Sequence, residues 1–223
     1  QAICEMPLDY PPRTRAVYSD LGFILLGEIL ERIGKEQLDT LAKTCIFEPL
    51  GMSEATFRPK FSDNIAPTEE DEWRGRIVQG EVHDENAFSL GGVAPHAGVF
   101  STARSLAPFS RMLLSGRDGS DKSLLSAGTI KHFTCRANLV SGSSRALGWD
   151  TPSDENSCGH YFSESSFGHT GFTGTSLWID PEHDVFVILL TNRVHPRRDN
   201  QKIVALRPAF HDAVMTALGM TVP

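Results

Sequence analysis

A chain of 223 residues with 40% hydrophobic content can bury a substantial core and is too apolar for a disordered segment. Its formal charge of −7 disfavours a nucleic-acid role, because phosphate binding needs a concentrated basic face and no cationic run here exceeds Arg197-Arg198. The longest apolar stretches, Leu21 to Leu26 and Val185 to Leu190, fall well short of the roughly 20 residues of a membrane-spanning helix, so no span is expected. The opening Gln1-Ala2-Ile3-Cys4 carries neither an initiator Met nor a charged-then-apolar leader, which leads us to expect that the start of the gene product lies upstream.

Ser19 precedes an apolar set (Leu21, Ile24, Leu25, Ile29, Leu30, Ile33) at helical spacing that stops at Gly34, so a capped helix is predicted there. A second helix is predicted from about Lys35 to Phe47, ending at the turn Pro49-Leu50-Gly51-Met52. From Phe57 to Gly98 the pattern fades into Pro, Gly, Asp and Glu, which reads as a long irregular segment of the kind that is often functional. Helices are then expected from Thr102 to Ser115, capped near Ser101 and closed by Gly116, and from a point just after Ser126. Thr173–Ile179 and Val185–Thr191 are β-rich runs joined by the turn-forming Asp180-Pro181-Glu182-His183-Asp184, which predicts an antiparallel hairpin. Helical spacing returns from Asn200 to Leu218, suiting a helix laid across the sheet. Helices first and strands afterwards give an α+β class, with a helical lobe over residues 1–144 and a sheet portion over 145–223.

Four scattered cysteines (Cys4, Cys45, Cys135, Cys158) lack the spacing of a zinc site and read as buried, unreactive thiols or one disulfide, the former preferred. No metal or cofactor is expected. Arg193, Arg197 and Arg198 read as a solvated face, and His83-Asp84-Glu85 as a loop that satisfies its own backbone through Asp84 and Asn86. Gly174-Thr175-Ser176-Leu177-Trp178 approaches a nucleophile elbow, but Trp stands where a close-packing Gly is needed and the segment reads as strand. No S-x-x-K occurs in the 223 residues. Ser101-Thr102-Ala103-Arg104 has that spacing, yet Arg stays protonated and cannot serve as a base, so the segment reads as a helix cap.

Tyr18-Ser19-Asp20 opening a helix, Pro49-Leu50-Gly51-Met52 ending the next, Val82-His83-Asp84-Glu85-Asn86-Ala87, Gly91-Gly92-Val93, Ala97 to Ala103, and Gly168-His169-Thr170-Gly171-Phe172-Thr173-Gly174 occur in a fixed order. Together they resemble the serine β-lactamase and penicillin-binding-protein superfamily, in particular its class C-like esterases and D-peptidases, over nearly the whole chain. The resemblance implies a β-lactamase-like domain whose leading strands and S-x-x-K helix lie outside this chain, and an enzyme acting through an acyl-serine on esters, amides or β-lactams. It further implies an extracytoplasmic location, a small-molecule or peptide substrate, and the missing N-terminal segment as the partner. On this reading the chain alone is inactive.

By the same resemblance Tyr18 is the proton-exchanging tyrosine, and Asp20 stands where Asn is usual. His169 replaces the Lys of K-T-G, exchanging a permanent cation for an imidazole that titrates near neutrality while still presenting a donor to a substrate carboxylate or to Tyr18. Thr170 and Gly171 line the substrate strand, the Phe172 amide forms half of an oxyanion hole, and Asp84 and Asn86 border the cleft. Gly171 is read as clearing the strand edge for a substrate, or as marking a bulge. The alternative reading is a non-catalytic module that binds cell-wall peptides or a protein partner.

Overall fold

A computed structural model describes residues 2–60, 64–116, 124–153 and 156–220. After a single turn, α1 (Ala2–Glu5), an extended stretch leads into α2 (Asp20–Gly34). Ser19 caps α2 as predicted: its backbone is extended and its Oγ accepts the Leu21 amide at 3.3 Å. Gly34 is still helical, and Lys35 takes the left-handed C-cap conformation at φ 54°. That cap interrupts the predicted second helix, which becomes α3 (Leu38–Ala42) and a π-helical turn over Lys43–Phe47. Glu31 bridges the break by accepting the Leu38 amide at 2.7 Å.

The long segment is irregular but not featureless. The two-residue strands β1 (Thr56–Phe57) and β4 (Val99–Phe100) pair antiparallel and close its ends. Between them lie the small hairpin β2 (Glu70–Asp71) with β3 (Arg76–Ile77), and the five-residue α4 (Glu85–Ser89). Elements this short carry no periodicity, which is why the sequence showed none. The segment is pinned to α2 at Gly27, where an added Cβ would lie 2.6 Å from Cγ of Pro95.

The helix α5 (Ala103–Ser115) is capped by Thr102, whose Oγ1 accepts the Ser105 amide at 3.2 Å, one residue later than the expected Ser101. α6 (Ala127–Thr134) starts from Ser126 as anticipated. The sheet has the order β5 (Phe167–Thr170), β6 (Ser176–Asp180), β7 (Val185–Leu189), all antiparallel. β6 begins at Ser176 because Gly171 to Thr175 are spent on a turn, closed by the Gly171 amide on the Thr175 carbonyl at 2.8 Å. The predicted Asp180 turn is built around that buried carboxylate, which accepts from Ser163 N and Oγ, from the Glu182 amide and from His183 Nδ1.

Strand alternation sends Leu177 and Ile179 of β6 to one face and Ser176 and Trp178 to the other. The first face, with Phe167, packs on Met112, Leu113 and Leu114 of α5 and Ile130 of α6. This core joins residues on both sides of position 144. The second face, with Val187 of β7, packs on Met215, Phe210 and Val214 of α7 (Lys202–Ala217), so the sheet lies between helices. The hairpin and the C-terminal helix were expected, and so was the α+β class. The cysteines depart from expectation. None is in a disulfide, and only Cys158 is buried, its thiol pushed up to about 12 by desolvation, while Cys4, Cys45 and Cys135 are exposed. No helix among the described residues is long and apolar enough to cross a membrane.

Candidate active site

The extended residues before α2 bring Tyr18 against β5. Its ring stacks on that of His169, with centroids 5.9 Å apart and planes at 30°. The two residues bound a cleft of about 800 Å³, whose other walls include Arg15, Phe23, the loop Val140 to Ala146, and Trp149. Arg145 places its guanidinium 5.2 Å from the centre of the Tyr18 ring. Tyr18 is itself 69% exposed, so its phenol is open to the cleft.

His169 lies on the same face of β5 as the core residue Phe167, opposite Leu177. Its Nδ1–H donates to the Thr170 carbonyl at 2.8 Å, which leaves Nε2 as the acceptor of a neutral ring. Burial is the largest influence on this imidazole and holds its pKa below the ordinary histidine range; the nearby Arg145 guanidinium pushes the same way. At neutral pH His169 therefore offers the cleft a lone pair, and the proton donor anticipated for this position is committed to backbone. On the outer edge of β5, Gly168 exchanges both backbone hydrogen bonds with Asp150, at 2.8 and 3.0 Å. Alternation directs the Thr170 amide to that same outer side.

The family described as Beta-lactamase matches residues 1–209. The chain belongs to that family. Proteins named D-alanyl-D-alanine carboxypeptidase from Escherichia coli O157:H7 and strain K12 are 34% and 33% identical to it over 222 residues. Each match covers 91% of this chain and 51% of the relative, so the chain spans about half the length of the curated relatives it matches. Among solved structures, a β-lactamase of Mycobacterium bovis aligns at 23% identity with a TM-score of 0.67, covering 93% of this chain and 66% of that one. Unliganded simvastatin synthase of Aspergillus terreus aligns at 19% identity with a TM-score of 0.70, covering 97% of this chain and 59% of its own. At such identities the likeness is one of fold.

Within this β-lactamase-family chain, only Tyr18 and His169 of the sequence-nominated residues border the cleft together. Asp20 is turned toward the loop, where Asn86 Nδ2 approaches it at 3.4 Å. Asp84 accepts the Ala87 amide at 2.7 Å and faces His96 Nε2 at 3.0 Å. Asp84 thus caps its own loop as expected, whereas the Asn86 side chain reaches across to α2. Asp20, Asp84 and His96 bring potential ligand atoms within 4.8 Å of one another, a grouping the sequence did not suggest, since His96 is 12 residues beyond Asp84.

Gly171 is confined by its own turn, since a Cβ there would lie 2.2 Å from Thr175 Oγ1. Its carbonyl accepts from Arg207 at 2.6 Å. Phe172 projects beyond the strand, 57% exposed, with its ring stacked on His83 at 5.6 Å and the Arg193 guanidinium 4.2 Å from its centre. Arg193 Nε also donates to the Phe172 carbonyl at 2.8 Å. Arg198 grips the buried Glu69, holding its carboxyl down to about 2, and reaches Glu85 at 2.7 Å; Glu69 in turn faces His83 Nε2 at 2.8 Å. Arg193 and Arg198 thus engage Phe172, the latter's guanidinium 5.9 Å from the ring centre, while Arg197 and Arg198 stay exposed as expected. The discarded elbow serine, Ser176, is buried against His211 Nε2 at 3.1 Å, out of reach of any substrate.

Proposed function

We propose that the chain supplies the tyrosine wall and the substrate strand of a serine hydrolase that acts through an acyl-enzyme on esters, amides or β-lactams, with the nucleophile contributed from outside these residues. The observation that carries the reading is the Tyr18–His169 stack. Two motifs about 150 positions apart in the chain meet across one cleft, where a phenol beside an acceptor nitrogen can pass a proton to and from a reacting oxygen. Thr170 and Phe172 follow as the edge that orients the acyl group, and the Phe172 amide as an oxyanion donor. The clamp on Phe172 from Arg193 supports that role, since a donor aimed at developing charge works best when already fixed in place.

The surface of α2 supports a partner segment. Leu21, Phe23, Leu26, Ile29, Leu30 and Ile33 are all among the exposed large hydrophobics, an apolar load that a lone solvated helix does not carry. We assign this surface to the segment that brings the nucleophile. The test is active-site titration with nitrophenyl acetate. The 223-residue chain alone gives no burst, and the longer gene product gives one that falls by about two orders of magnitude or more in rate with Tyr18→Phe, the usual scale of general acid–base catalysis. A stoichiometric burst from the chain alone would place the nucleophile within it and overturn the proposal.

A further inference from the structure

We infer that Arg145 is the specificity-determining residue of the cleft, supplying the permanent positive charge that selects a ligand bearing a carboxylate. The inference rests on the cleft being the substrate site proposed above, and it begins from the charge distribution. The chain as a whole carries a formal charge of −7, yet the residues lining the cleft include Arg15, Arg145 and His169 and not one Asp or Glu. A cationic cavity in an acidic protein focuses field toward anions and away from neutral or cationic ligands.

The motif position that the resemblance assigns to the Lys of K-T-G holds His169. That ring is buried and gives its one neutral-state proton to the Thr170 carbonyl, so it brings no fixed charge to the cleft. Arg145 stands on a different element, the loop ahead of β5, and faces the same Tyr18 ring from which His169 is 5.9 Å away. A guanidinium above a ring face is held in position by the ring's quadrupole and keeps its in-plane N–H groups available. The acidic side chain that approaches it, Asp150, has Oδ2 at 3.9 Å, beyond hydrogen-bonding range. Asp150 Oδ1 is occupied by Ser144 Oγ at 2.7 Å and the Thr151 amide at 3.1 Å, which hold the carboxylate on its own loop. Arg145 is therefore positioned by Tyr18 and only loosely neutralised, and its fork fits a carboxylate in two-point contact. An incoming carboxylate competes with Asp150 only through that long contact. Arg15, which also lines the cleft and sits 5.6 Å from the centre of the Tyr10 ring, adds to that charge.

The experiment is calorimetric binding of N-acetyl-D-alanyl-D-alanine and of the same peptide as its C-terminal amide to the wild-type chain, Arg145→Gln and Arg145→Lys. The expected result is a preference for the carboxylate of about tenfold or more in the wild type, the scale of one lost hydrogen bond to a charged group. Arg145→Gln reduces that preference to about threefold or less, and Arg145→Lys restores part of it, which a merely structural loss would not do. Equal binding of the two peptides by the wild type, an undiminished preference in Arg145→Gln, or no binding of either peptide overturns the inference. Because equilibrium binding needs no nucleophile, these outcomes are independent of the ester titration: a failed burst leaves an anion-selective cleft standing, and a lost preference leaves the acyl-enzyme reading standing.

Discussion

Acidification from pH 7 to pH 4 is expected to weaken the fold through one core residue, His211. This imidazole on α7 is fully buried, with Nε2 on Ser176 Oγ at 3.1 Å, its Nδ1 unpartnered, and the edges of Phe162 and Phe210 around it. Burial pushes its pKa down to about 4 from 6.5; Arg207 adds to the effect and Asp212 opposes it. Above pH 6.5 the ring is neutral in both folded and unfolded chains and contributes nothing to pH dependence. Between 6.5 and about 4 the unfolded chain takes up a proton that the folded core refuses, so stability falls with falling pH, by about 1.4 kcal/mol per unit at most and about 3 kcal/mol in all. The perturbation is His211→Gln, which keeps a polar partner for Ser176 and cannot titrate. Urea unfolding of both proteins at pH 7, 6, 5 and 4 gives the difference in stability at each pH. Glu69, whose carboxyl is held near 2, loses its contribution below its unfolded value of 4.5 in both proteins and cancels. The wild type should lose about 3 kcal/mol more than the variant over this range. Parallel curves for the two proteins would mean that His211 is hydrated when folded, and would refute the burial argument.

Gly27→Ala sets two magnitudes against each other. Helix propensity favours Ala by up to about 1 kcal/mol, but the new methyl would sit 2.6 Å from a rigid Pro95 ring carbon, and overpacking costs about 1–3 kcal/mol. A net loss of about 1 kcal/mol is expected, read as a lower thermal midpoint. Asp84→Ala removes the α4 cap and the His96 contact, and should cost about 2 kcal/mol in chemical denaturation. Thiol titration with a chromogenic disulfide should show three cysteines reacting at once and Cys158 reacting only in denaturant, because burial disfavours its thiolate.

What could be read along the chain was whatever repeats along it. α2 and α5 declare themselves through apolar spacing and caps, α6 through its start at Ser126, α7 through apolar spacing alone, and the hairpin through its β-rich runs and the Asp180 turn. The break at Lys35 was hidden because a lysine in a left-handed cap looks like any helix-favouring lysine; glycine, the usual signal, sits one place earlier and stays helical. The thiols were misjudged because a buried-cysteine tendency is an average over proteins and says nothing of which residue a particular fold covers.

The site divides the same way. Tyr18 and His169 stood out because each belongs to a short ordered motif, but nothing local to either states that burial and the Thr170 carbonyl leave His169 without a fixed charge. Arg145 belongs to no motif and follows a run of Ser and Gly; it acquires meaning only when β5 carries His169 beside it and the extended residues before α2 lay Tyr18 under its guanidinium. The clamps on Phe172 likewise join residues more than 20 positions apart, Arg193 from beyond β7 and His83 from the long loop. The guanidinium beside Tyr18 thus comes from a loop, whereas the proposed proton-exchanging groups come from a helix entry and a strand. On the two proposals selectivity and chemistry reside on separate elements, so Arg145→Gln should alter which ligand binds while the Tyr18–His169 contact persists.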